Sequence, residues 1–206
     1  MRRHKALLVV GPTGSGKSPL GKLIQEQGFG GRRCCHFDFG DQLRTAQKQP
    51  DVMPFLDAHD HEVIGQVFAA SRLLADDEFP VAGKILRHYL ESAVGADDWV
   101  VLNGLPRNVF QARMVESFAT IKLVVVLECS PDDVAARIAL DAHDERRGRD
   151  DNTPAAIAER LRIYYQQTLP LIQHYRAGQV RIIEFAVVPE TTPEQIWQVL
   201  NAIRLD

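Results

Sequence analysis

The chain predicts an α/β fold, a parallel sheet with helices on both faces, and three observations carry that expectation. Residues 11–18 read Gly-Pro-Thr-Gly-Ser-Gly-Lys-Ser and fit the phosphate-binding pattern G-x-x-x-x-G-K-[ST] at every fixed position. The pattern sits between a buried-strand run, Ala6-Leu7-Leu8-Val9-Val10, and a helical stretch with Leu20, Leu23 and Ile24 on one face. Apolar runs then recur at residues 6–10, 34–37, 99–102, 123–127 and 180–185, with helical patterns between them. Strands that alternate with helices make a parallel sheet buried on both sides, hence a three-layer sandwich.

In the first element, Gly11, Gly14 and Gly16 allow backbone dihedrals and a close approach that a side chain would block. The loop's N–H groups can then point inward, beside Pro12, Thr13 and Ser15, at the positive end of the following helix, a ready site for a triphosphate. Lys17 supplies a point charge for the β- and γ-phosphates, and the Ser18 hydroxyl is placed to ligate Mg²⁺. Pro19 suits a first helical turn, where no N–H is needed. Three later helices start with a cap followed by proline, at Ser130-Pro131, Thr153-Pro154 and Thr192-Pro193. Asp133 and Gln195 stand three residues after two of these caps, as in a capping box.

The reaction must come from residues beyond the loop, and arginines mark the places. The run from Trp99 to Arg107 is a buried strand that ends in Asn-Gly-Leu-Pro and delivers Arg107 at the carboxyl edge, where open α/β sheets bind ligands. The run from His36 to Arg44 again follows a strand and puts Arg44 about two helical turns into the next element. Arg149 precedes a further helix and Arg160 lies within it. Guanidinium groups pair bidentately with phosphate and stay charged, as phosphoryl transfer requires.

At 206 residues the chain is in the range of one domain spanning 1–206, and 45% apolar residues are enough for a large core. A net charge of −3 gives no reason to expect a nucleic-acid partner. Only five apolar residues follow the basic start Met1-Arg2-Arg3-His4-Lys5, too few for a signal-peptide core, and no run reaches membrane-spanning length. The three cysteines, Cys34, Cys35 and Cys129, form neither a metal spacing nor an even disulfide framework, so a cytoplasmic location is expected. His59 and His61 face apart on a helix and are read as surface residues.

Taken together, these stretches resemble the adenylate kinase family of nucleoside monophosphate kinases in its short-lid form. Gly40-Asp-Gln-Leu-Arg44 is similar to the family's Gly-Asp-Leu-Leu-Arg, Asn103-Gly-Leu-Pro-Arg107 to Asp-Gly-Phe-Pro-Arg, and Gln111-Ala112 to Gln-Ala. Arg149-Asp-Asp-Asn152 is similar to the lid hinge, and Arg160-Leu161 and Gln167-Thr-Leu-Pro-Leu171 to the family's Arg-Leu and Gln-Thr-x-Pro-Leu. The resemblance implies a P-loop NTPase-type sheet of order 2-3-1-4-5, an acceptor-binding insertion at 38–80 and a short lid at 138–151. It implies transfer of the γ-phosphoryl of ATP, with Mg²⁺, to a nucleoside monophosphate, AMP first, by a monomer without nucleic-acid or membrane partners. Arg44 and Arg107 would hold the acceptor phosphate, Arg149 and Arg160 the transferring group, and Arg137 the ATP base. Phe39, Gly104 and Gln111 would line the acceptor side, with Gln111 reading a purine edge.

Three positions depart from the family. Asn103 replaces an aspartate that orients Mg²⁺ through its waters, Asp38 replaces a serine, and Phe39 replaces a threonine beside the acceptor base. Either Asn103 or Asp38 would then reach the metal's water shell, and Asp38 is also placed to cap the following helix. The segment 141–150 suits a mobile loop with a hinge at Gly148, although Asp141, Asp144 and Glu145 make its first half more acidic than the family's lids. A nucleotide sensor with weak catalysis and a kinase for a non-nucleotide small molecule stay open as alternatives.

Overall fold

Residue alternation in the strands puts side chains on two faces, and both faces are covered. A computed structural model describes residues 3–70, 72–140 and 153–203. Five strands, β1 (His4–Val10), β2 (Cys34–Asp38), β3 (Trp99–Asn103), β4 (Ala119–Glu128) and β5 (Arg181–Ala186), form one parallel sheet. Its order is β2-β3-β1-β4-β5, as the resemblance implies. Ala6, Leu8, Val10, Phe37, Val100 and Leu102 enter one core, while Leu7, Val9, Cys34, Val101, Leu123 and Val125 enter the other. Both faces of the same strands are therefore dry, which explains why the runs read as continuously apolar.

The helices are α1 (Lys17–Gln27), α2 (Phe39–Lys48), α3 (Ala58–Ala69), α4 (Phe79–Ala93), α5 (Val109–Val115), α6 (Pro131–Leu140), α7 (Pro154–Ile163), α8 (Leu169–Ala177) and α9 (Pro193–Asn201). Ser130, Thr153 and Thr192 each accept a backbone N–H at a helix start, at 3.1, 3.2 and 3.3 Å. Thr192 and Gln195 complete a capping box. Asp57 and Asp60 form another at α3, and Lys84 of α4 donates to both, at 2.9 and 2.6 Å, which ties the two helices together.

The strands run further than their apolar cores. β2 and β3 extend to Asp38 and Asn103, and β4 starts at Ala119. Thr120 and Lys122 interrupt the apolar pattern there, and a bulge skips Lys122 between the pairs Ala6–Ile121 and Leu7–Leu123. All three cysteines are buried and unbridged, as core packing requires. Residues 138–140 are the last residues of α6, while 141–152 lie outside the described residues.

β2 packs on α1 at unusually close range. A Cβ at Gly21 would stand 2.2 Å from His36 Nε2, so only glycine fits beneath this imidazole. Burial lowers the His36 pKa from its ordinary 6.5, Lys22 adds to this, and Asp38 and Asp41 oppose it. Below pH 6.5 the unfolded chain therefore binds the proton before the folded one does, and stability falls with pH. The melting temperature is expected to be level from pH 8 to 7 and to drop toward pH 5, costing up to about 1.4 kcal/mol per pH unit. Circular dichroism melts of His36→Leu should show that slope reduced; an unchanged slope refutes the assignment.

Candidate active site

The loop between β1 and α1 takes a conformation its sequence demands. Gly16, the residue before α1, has φ of 90°, a left-handed conformation that side chains disfavour. α1 has neither a side-chain cap nor an acidic residue in its first turn. Its N-terminal dipole and N–H groups are thus suited to an anion. The Ser15 hydroxyl donates to Pro12 O at 2.9 Å and stabilises the loop from within. Lys17 Nζ donates to Pro12 O as well.

In front of the loop lies a cavity of about 640 Å³. Gly11, Thr13, Gly14, Gly16, Lys17 and Ser18 form its floor, and the ends of β2 and β3 bring Asp38, Phe39, Asn103 and Gly104. α2, α3, the segment leading into α4, and α7 with the π-helical turn Tyr164–Thr168 add to the wall. Its described lining includes the cations Lys17, Arg44, Lys48, Arg72, Arg107 and Arg160, and one carboxylate, Asp38. A polyphosphate is the ligand such a charge balance accommodates.

Arg107 is held at the end of β3. Its Nε donates to Gly104 O at 2.9 Å, and its backbone N–H donates to Gln111 Oε1 at 2.8 Å. That second bond fixes the Gln111 amide: with Oε1 engaged, Nε2 is the donor, 3.5 Å from Leu74 O. Gln111 is 2% exposed, so this donor and the Leu74 carbonyl form an adjacent donor–acceptor pair within the acceptor-side wall.

Asp38 works with both oxygens. Oδ1 accepts the Asp41 N–H at 3.1 Å and caps α2, as the sequence suggests. Oδ2 accepts the Ser18 hydroxyl at 2.5 Å and Asn103 Nδ2 at 2.8 Å, and Asn103 Nδ2 also reaches Ser18 Oγ at 3.0 Å. Burial pushes the Asp38 carboxyl up, but the Ser18 hydroxyl, His36, the Asp41 N–H and Arg44 together hold it below the ordinary carboxylate range.

With this geometry in hand, the relatives are informative. The family described as AAA domain matches residues 10–158. An adenylate kinase from Parvibaculum lavamentivorans is 30% identical over 202 residues, which cover 95% of this chain and 91% of the relative. This chain belongs to the adenylate kinase family. Adenylate kinase 1 from a Nostoc species is also 30% identical, covering 84% of this chain and 85% of its own, and one from Xylella fastidiosa is 31% identical over 82% and 84%. A gluconokinase structure from Sinorhizobium meliloti matches with a TM-score of 0.51 at 17% identity, over 98% of this chain and 92% of that one. It shares the fold, which is that of a P-loop kinase.

For a member of the adenylate kinase family, the expected residues gather with few exceptions. Lys17, Ser18, Asp38, Phe39, Arg44, Asn103, Gly104, Arg107, Gln111 and Arg160 all line the cavity. Pro12 and Ser15 are buried behind the loop, outside the lining. Arg137 also stands outside it, with Nε on Gly14 O at 3.0 Å and Nη1 on the carbonyls of Val188, Pro189 and Thr191 at 2.7–3.1 Å. It thereby ties the phosphate loop to the segment after β5. Arg149, Gly148 and the acidic half of the lid lie outside the described residues.

The sequence reading missed Lys48, Arg72, Leu74 and Tyr164 in the wall, which Thr168 of the quoted Gln-Thr-Leu-Pro-Leu stretch also lines. Lys48 follows Arg44 by one helical turn, a spacing that could have revealed it. Arg72 pairs with Glu78 through two bonds of 2.5 and 2.7 Å, and the Glu78 carboxylate also takes the Ala75 N–H at 2.7 Å. This clamp holds the segment that presents Leu74, and local sequence gives no sign of it. No helix among the described residues is long and apolar enough to cross a membrane, and no His, Cys, Asp and Glu cluster there could hold a metal alone.

Proposed function

We propose that the chain transfers the γ-phosphoryl group of ATP to a nucleoside monophosphate, with AMP as the preferred acceptor, giving two ADP. The single observation that carries the choice of base is the pair formed by Gln111 Nε2 and Leu74 O, a donor beside an acceptor. Adenine presents the complement, an N1 acceptor beside N6 donors; guanine and uracil present a donor and an acceptor the other way round. Cytosine has the matching pattern on a smaller ring. Phe39, Leu43, Val67 and Leu73 give the same side of the cavity apolar walls on which a base can pack.

The residues divide the work by position. The α1 N-terminus, the loop N–H groups and Lys17 bind the ATP phosphates, and Arg137, held beside Gly14, would stack on the ATP base. Arg44 and Arg107 hold the acceptor phosphate, while Arg160 and Arg149 meet the charge that develops on the transferring group. An acceptor phosphate oxygen forms the new bond to the γ-phosphorus as its bond to the β–γ bridging oxygen breaks, and that electron pair leaves on ADP. The acceptor oxygen is already ionised at neutral pH, so no side chain need remove a proton. The segments 38–80 and 138–151 would serve as acceptor subdomain and lid, closing to exclude water.

The Ser18 hydroxyl, hydrogen-bonded at 2.5 Å to the Asp38 carboxylate at the phosphate loop, offers with it the hard oxygen groups that suit a divalent cation and its water shell. Bound Mg²⁺ would supply charge neutralisation on the β- and γ-oxygens.

The test is ADP formation from MgATP with AMP, CMP, GMP, UMP and a phosphate-free panel of sugars and sugar acids. AMP should be fastest, CMP slower, and GMP and UMP near the blank. Preference for GMP or UMP contradicts the base assignment, turnover on a sugar alone replaces the acceptor class, and ATP binding without turnover assigns the nucleotide sensor.

A further inference from the structure

The cavity contains an electrostatic contradiction. Six cationic side chains line it as a phosphate site requires, yet Asp38 stands at the phosphate loop itself, the one carboxylate among the described lining residues. A bare carboxylate there would repel the anion that the rest of the wall attracts. Its hydrogen-bond partners do not neutralise it, for the Ser18 hydroxyl, the Asn103 amide and the Asp41 N–H carry no charge. Arg44 and His36 favour the charged carboxylate from the helix and strand side; on the phosphate side, a cation between it and the phosphates would remove the repulsion.

The proton arrangement identifies which neighbour serves that cation. Asn103 Nδ2 has two hydrogens and two acceptors within reach, Asp38 Oδ2 at 2.8 Å and Ser18 Oγ at 3.0 Å. The reverse amide orientation would set Asn103 Oδ1 against a carboxylate, so the donor faces the site. A donor cannot approach a metal ion, and Asn103 is thereby an orienting group. Asp38 and Asn103 are paired neighbours in the β2–β3 register, so a charge carried by one strand end can be moved to the next without moving the backbone.

We infer that Asp38 is the carboxylate of the metal site: it receives the water shell of a divalent cation bound at Ser18 Oγ, and Asn103 orients it. This deepens the phosphoryl-transfer reading and rests on it only for the presence of a metal–nucleotide complex. The same side chain caps α2 through Oδ1, so the cation site is joined covalently to the helix that carries Arg44 and Leu43. Asp38 is a positioning residue acting through the metal's waters, and its loss should show first in metal affinity.

The experiment measures Mn²⁺ binding to the ATP complex of the full chain by electron paramagnetic resonance, with metal-free ATP binding by calorimetry alongside. Asp38→Asn keeps a capping oxygen and removes the charge. It should weaken Mn²⁺ binding in the ATP complex about tenfold or more, the usual effect of losing an outer-shell partner, and leave metal-free ATP binding unchanged or tighter. Adding Asn103→Asp should return the charge to the neighbouring strand and restore most of the loss. Asp38→Ser, which also retains a cap, gives the same reading if the asparagine variant folds poorly. Mn²⁺ affinity within twofold of the parent in both Asp38 variants overturns the inference, as does failure of Asn103→Asp to restore it. Because the readout needs no acceptor, it stands whether or not AMP is phosphorylated.

Discussion

Replacing Lys17 by methionine is expected to reduce ADP formation about a thousandfold while the melting temperature stays within a few degrees of the parent, because a preorganised cation at developing phosphate charge contributes on this scale. Lys17 is half-buried at the cavity floor, where its ammonium has little competing water and its charge acts at low effective dielectric. Its bond to Pro12 O lies within a loop that the Ser15 hydroxyl also braces, so the loop keeps that brace when the ammonium is removed. A methionine keeps the stem and removes the charge alone. The check is a coupled ADP assay with calorimetric ATP binding: the main loss should be in kcat. A variant that retains a tenth of parental turnover would remove Lys17 from the proposed machinery.

Arg107→Ala should act on the other substrate. Its guanidinium is aimed by Gly104 O, and its backbone by Gln111, so the group is positioned before any ligand arrives. Bidentate pairing with an acceptor phosphate is worth the most when it needs no rearrangement. kcat/KM for the acceptor is therefore expected to fall about a thousandfold, with ATP affinity unchanged. Arg107→Lys should recover little, since an ammonium cannot form the paired contact. Loss of ATP affinity equal to the loss in acceptor kcat/KM would place Arg107 on the donor side and overturn this assignment.

Much of the fold was legible because its signals are local. The phosphate loop is contiguous, five apolar runs mark the five strands, and Thr192 with Gln195 announces α9 within four residues. The strand ends were less legible, since Asp38, Asn103, Thr120 and Lys122 are polar residues kept in the sheet by pairing with neighbours far along the chain. Sheet order came from family likeness, as alternation of strands and helices alone allows several orders.

The site divides in the same way. By itself the sequence determined that a phosphate-binding loop opens the chain and that arginines follow its strands, because each is a short pattern whose chemistry is independent of context. Only the tertiary structure decided how Asp38 is used: its capping role is written in the next three residues, whereas its second oxygen meets Ser18 and Asn103, 20 and 65 residues away. The same holds for Gln111, whose amide is fixed by Arg107 and faces a carbonyl 37 residues upstream. Hydrogen-bond direction depends on which groups converge in space, and a linear chain records the donors and acceptors without their partners.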